Sequence, residues 1–127
     1  MRYKRLAVND EQKVYDRCDK LYPQLRHNRL CRSCAERYIV RPAEHIHHII
    51  PRSNPLTRFY LPNLYPVCAE CHAAIHAGKL KPAVSETLMD ELRQLANRNL
   101  LSLCITRGIT RAEYFEDQLQ KIKDNIL

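Results

Sequence analysis

Two cysteine pairs of identical spacing, Cys31-x-x-Cys34 and Cys68-x-x-Cys71, constrain this chain more than anything else in it. A CxxC turn sets two sulfurs on adjacent edges of a tight bend, which matches two corners of a tetrahedron. Two such turns complete a four-cysteine shell around Zn²⁺ with no open position, so the site they make is structural. Paired cysteines in a reducing compartment point to metal rather than disulfide. The remaining cysteines, Cys18 and Cys104, fall on apolar helix faces and read as core.

The histidines are concentrated in the same region. Five of six lie between positions 45 and 76: His45, His47, His48, His72 and His76. On a helix, the i, i+4 pair His72/His76 points one way and can grip one ion. On a strand, adjacent His47 and His48 face opposite sides, so one can ligate while the other meets a substrate. His45 shares the His47 face and reads as an orienting or surface residue.

These motifs, in this order, resemble the HNH nuclease signature: His45-Ile46-His47-His48-Ile49-Ile50-Pro51-Arg52-Ser53, then Asn63-Leu64, then Cys68-x-x-Cys71-His72-x-x-x-His76. The resemblance covers residues 31–78. It implies a ββα-metal unit, two antiparallel strands and a helix clasping one divalent cation, in the branch stapled by a four-cysteine zinc site. It further implies His48 as general base on water, Asn63 as the side chain that ties the loop and orients that base, and His72 as metal ligand. His76 matches a ligand used by some members, and His47 stands where many relatives have Asp. DNA as substrate is likewise implied by the family, single- or double-stranded. A His47/His72/His76 set has no carboxylate, which suits Mn²⁺, Co²⁺, Ni²⁺ or Zn²⁺ at least as well as Mg²⁺.

The expected fold class is α+β: a small ββα-metal core at 31–78, an N-terminal basic helical arm at 1–30 and a C-terminal helical hairpin at 79–127, all one domain. Asn9 is a candidate cap for a helix running to about Arg26, with Val14, Tyr15, Cys18, Leu21, Tyr22 and Leu25 at helical spacing. Strands are expected at Ala43–Ile50 and Asn63–Val67, with a Pro-punctuated loop between them and a helix from Cys68 to Gly78. Ser85 caps the next helix, the stretch from Leu100 either extends it or packs behind it, and Thr110-x-x-Glu113 has the form of a capping box. The last helix carries a Phe115/Leu119/Ile122/Ile126 stripe, suited to the core or to a homodimer contact.

Charge agrees with a polyanionic partner. The formal net charge is +7, with +5 in residues 1–44, +3 in 45–84 and −1 beyond. Arg52 and Arg58 on the loop, and Arg37 and Arg41 near the first knuckle, are candidate nucleic-acid contacts; Arg26, Arg29 and Arg32 could extend that track. Tyr38 and Tyr60 could stack on a base, but core packing is the simpler expectation. No stretch approaches the roughly 18 apolar residues of a membrane span, and no leader-like segment is evident, so a cytoplasmic, phage or bacterial enzyme is expected. The competing readings are a zinc-containing module that binds nucleic acid on an HNH scaffold without cutting it, and a metal-storage or metal-sensing protein, which the split into four Cys and a separate His group disfavours.

Overall fold

The computed structural model describes residues 10–126. The expected Asn9 cap and the first nine positions of the basic arm lie outside the described residues. Helix α1 (Asp10–Lys20) has acidic residues in its first turn and Arg17 and Lys20 in its last, complementing the helix dipole. It does not run to Arg26 as expected. A second short helix, α2 (Tyr22–Arg26), follows, with Pro23 in its first turn. A proline at 23 cannot donate to the carbonyl of Asp19, so a continuous helix would lose that bond; a restart just before Pro23 avoids the loss.

Helix α3 (Arg32–Ala35) is capped by Cys31, whose sulfur accepts from the Cys34 N–H at 3.4 Å. Strand β1 (His45–His48) pairs antiparallel with β2 (Leu64–Val67), placing His45 opposite Val67, His47 opposite Tyr65 and His48 opposite Leu64. Helix α4 (Ala69–His76) repeats the knuckle geometry of α3: the Cys68 sulfur accepts from the Cys71 N–H, also at 3.4 Å. Its continuation stops at Gly78, whose φ of +73° suits a residue without Cβ.

The C-terminal part differs from a two-helix hairpin. Helices α5 (Glu86–Ala96) and α6 (Leu100–Arg107) are separate, each with its own N-cap, Ser85 to the Leu88 N–H and Asn99 to the Ser102 N–H. Helix α7 (Arg111–Ile126) opens on the expected capping box: the Thr110 N–H donates to Glu113 at 2.9 Å and the Glu113 N–H to the Thr110 hydroxyl at 3.1 Å. Phe115, Leu119 and Ile122 are all buried in the main core with Val14 and Cys18 of α1, and Ile126 packs against it partly buried, so the stripe faces the interior.

The sheet separates two apolar clusters. Its Ile46/His48/Leu64 face looks toward the larger one, where Tyr15 meets Phe59 and Phe115 edge-on at 4.7 and 5.3 Å. Tyr65 and Val67, on the other face, pack with the four cysteines. The long β1–β2 loop is tied into the larger core by α7: the Leu56 carbonyl accepts from the Tyr114 hydroxyl at 2.8 Å and from Gln118 at 3.2 Å. Cys18 and Cys104 are buried there, as expected.

Candidate functional site

Strand alternation divides the paired histidines. His47 turns toward α4, where its ring centroid lies 5.5 Å from His72 and 5.3 Å from His76. One turn of α4 brings His72 and His76 together, their Nε2 atoms 3.0 Å apart. One ligand atom from each of the three can lie within 4.8 Å of the others. Nitrogens bound at about 2.1 Å to one ion sit roughly 3 Å apart. The His72/His76 pair stands at that spacing, and His47 is near enough to join them on one divalent cation by a small side-chain adjustment. Burial, and then the neighbouring His72, His76 and His48, push the His47 pKa down to about 4. Burial with His76 and His45 lowers His72 as well. Both are therefore neutral near pH 7, the form that ligates metal. His45 stacks beside His72 at 5.0 Å but is exposed at the rim.

His48 turns the other way. Its Nε2 lies 3.1 Å from the Arg58 carbonyl and 3.1 Å from the Tyr22 hydroxyl, which itself donates to that carbonyl at 3.0 Å. A carbonyl oxygen can only accept, so Nε2 carries the hydrogen and the lone pair is on Nδ1. Burial pushes the His48 pKa down to about 4 against the opposing pull of the Arg58 carbonyl. The imidazole is held neutral in one tautomer.

The carbonyl that fixes His48 is itself anchored. Asp19 of α1 accepts from the Arg58 guanidinium at 2.8 and 3.1 Å and from Arg52 at 2.8 Å. The Arg58 guanidinium also covers the Tyr15 ring at 4.3 Å. Asn63 is fully buried and closes the loop from inside. Its oxygen accepts from the Ile50 N–H at 2.7 Å, and its amide donates to the Ile50 and Thr57 carbonyls at 3.1 and 3.0 Å.

The cysteines converge as their spacing predicts. Cys34 Sγ is 3.9 Å from Cys68 Sγ and 3.6 Å from Cys71 Sγ. A zinc tetrahedron with Zn–S near 2.3 Å has edges of about 3.8 Å, so the cluster fits zinc with little rearrangement. Burial and the adjacent thiols push Cys71 up to about 12. For Cys68, burial is outweighed by the Cys71 N–H and by the surrounding donors, giving about 7. Four crowded sulfurs cannot all ionise without a cation among them, which is the chemistry of a metal site. Arg37 donates to Cys71 Sγ at 3.2 Å and to Cys34 Sγ at 3.6 Å, an outer contact on the sulfurs.

The four arginines singled out from the sequence have different partners. Arg37 lies on the sulfurs, Arg41 pairs with Glu70 at 2.7 Å, and Arg52 and Arg58 share Asp19. Tyr38 is not core: its side chain is 98% exposed. Sequence reasoning missed Asp19 and Tyr22 as supports of His48. Tyr22 falls among the apolar helix positions, and the only local hint is Pro23, which turns the chain there.

Among curated proteins and among solved structures, none matches the chain. A family model described as HNH endonuclease matches residues 31–78, from the first knuckle through the end of α4. The β1–β2–α4 unit, the histidine trio and the cysteine cluster all lie inside that stretch, which is similar to an HNH endonuclease domain.

Proposed function

We propose that this protein is a metal-dependent endonuclease that hydrolyses phosphodiester bonds in DNA, with His48 as the general base. The observation that carries the reading is the division of labour on β1, where consecutive histidines serve a three-nitrogen ligand cluster and a separately braced imidazole. His47, His72 and His76 would hold one divalent cation. When bound, that ion supplies Lewis-acid stabilisation of charge on the scissile phosphate and on the departing 3′-oxygen.

The chain's own residues do the rest. His48 accepts the proton of the attacking water at Nδ1, because Nε2–H is committed to the Arg58 carbonyl. Asn63 keeps that loop at a fixed distance from β1. The Cys31/Cys34/Cys68/Cys71 cluster, holding zinc, fixes α4 against the sheet and so sets where His72 and His76 stand. Arg52 keeps about half its side chain in solvent, 54%, and an exposed ion pair with Asp19 is weak enough to yield to a phosphate. Arg58 is mostly covered, and its bonds to Asp19 make it a loop anchor before it is a DNA contact. We read residues 31–78 as the catalytic core and the flanking helices as its frame.

The test is nicking of supercoiled plasmid by wild type and His48→Ala. Metal-dependent nicking should fall by about 10²- to 10⁴-fold in His48→Ala, with zinc content unchanged. Mn²⁺, Co²⁺ or Ni²⁺ should support at least as much cutting as equal Mg²⁺. Binding of DNA without cutting under any of these ions would replace this reading with a scaffold that only binds.

A further inference from the structure

The loop after α3 carries a feature that neither the zinc cluster nor the histidine site uses. Tyr38 sits at φ +59°, a backbone region costly for any residue with a bulky Cβ substituent and cheap for glycine or asparagine. Its ring is 98% exposed, so packing among the described residues does not explain a tyrosine there. Val40 beside it is 82% exposed. The loop is nevertheless well fixed. The Tyr38 N–H donates to the Ala35 carbonyl at 3.0 Å and the Ile39 N–H to the Cys34 carbonyl at 2.9 Å, so the ring stands on a backbone tied to the knuckle.

Arg37, Ile39 and Arg41, close to Tyr38 in the chain, line an open groove with Lys79 and Leu80. There Cys34 and Cys71 take up Arg37, Glu70 pairs with Arg41 in an exposed contact, and Lys79 adds a further cation. An aromatic face held outward beside a cationic groove is the arrangement that binds single strands: the groove follows phosphates and the ring takes a base. A duplex keeps its base faces stacked inside and offers none to such a ring. We propose that Tyr38 is a stacking contact for an unpaired base, with Lys79, and Arg41 once its exposed pair with Glu70 yields, following the adjoining backbone. The site thus selects single-stranded or locally opened nucleic acid. This rests on the reading of the chain as a protein that acts on nucleic acid, and it names the form of that substrate.

The experiment is fluorescence anisotropy with the full zinc-loaded chain in a His48→Ala background, which removes cutting. Two labelled strands of equal length are compared, one with ordinary bases and one composed of abasic sites. Tyr38→Ala should weaken binding of the first by about 5- to 100-fold, leave the second unchanged, and be rescued by Tyr38→Phe. Melting temperature and zinc content should not move, since the side chain is almost wholly in solvent. Equal losses on both strands, no loss on either, or no measurable binding to the ordinary strand would overturn the proposal. So would unchanged strand affinity with altered self-association in sedimentation, which would assign the face to a second copy of the chain. A wild type that never nicks plasmid but shows the base-dependent Tyr38 effect would sink the hydrolytic reading and leave this one standing. The reverse result would do the opposite.

Discussion

Cys71 and His72 are neighbours in sequence, yet they belong to two clusters built on opposite terms. The four sulfurs are sealed, none more than 4% exposed, and their tetrahedron is complete. The three imidazoles stand at an open edge, with His76 exposed, and three nitrogens leave coordination positions free. A closed shell gives up reactivity for stability, whereas an open one does the reverse. Helix α4 contributes to both, so the sealed cluster sets the position of the open one.

The sharpest way to test this contrast is to change the two neighbours one at a time. Cys71→Ser should release zinc and unfold the region around it, because structural zinc sites contribute about 10–16 kcal/mol of apparent binding free energy. Zinc content and circular dichroism would read the loss. His72→Ala should keep zinc and melt close to wild type while losing nicking. A Cys71→Ser protein that stays folded without zinc would break the comparison.

Asn63→Ala comes next in size, since Asn63 belongs to both categories. It removes three hydrogen bonds and strands the Ile50 groups and the buried Thr57 carbonyl, so denaturant unfolding should show a loss of about 3 kcal/mol together with reduced nicking. Unchanged stability with lost nicking would mean that its part is chemical alone.

The smallest expected effect belongs to Tyr22→Phe. It deletes one hydroxyl, worth about 1 kcal/mol, and should lower kcat severalfold at unchanged KM. Equal changes in kcat and KM would argue against a role in holding His48.

The cysteine and histidine clusters are readable from the sequence because their information is local. CxxC spacing, the i, i+4 pair on α4 and the alternation of β1 each specify geometry within a few residues, and the capping box at Thr110 is of the same kind. The bracing of His48 is not readable. Asp19 and Tyr22 reach Arg58 and His48 across 39 and 26 positions, and no periodicity reports a contact made only by tertiary packing. Tyr38 departs from expectation for a different reason. Tyrosine is often at least half buried, and neither the positive φ nor the exposure of this one leaves a mark on residue type. The break before Pro23 is legible in the sequence, but the apolar stripe running through it suggests one continuous helix.

The ties from α7 to the Leu56 carbonyl bear on when, during synthesis, the β1–β2 loop becomes ordered. His48 is synthesised well before Tyr114 and Gln118, and at about 5–20 residues per second that interval lasts several seconds. Until α7 emerges, the loop that positions the imidazole lacks two of its anchors, and the Phe115/Leu119/Ile122 stripe is missing from beneath it. A half-made polypeptide therefore holds its histidines without the frame that packs around them, so the order of this region arrives late in translation.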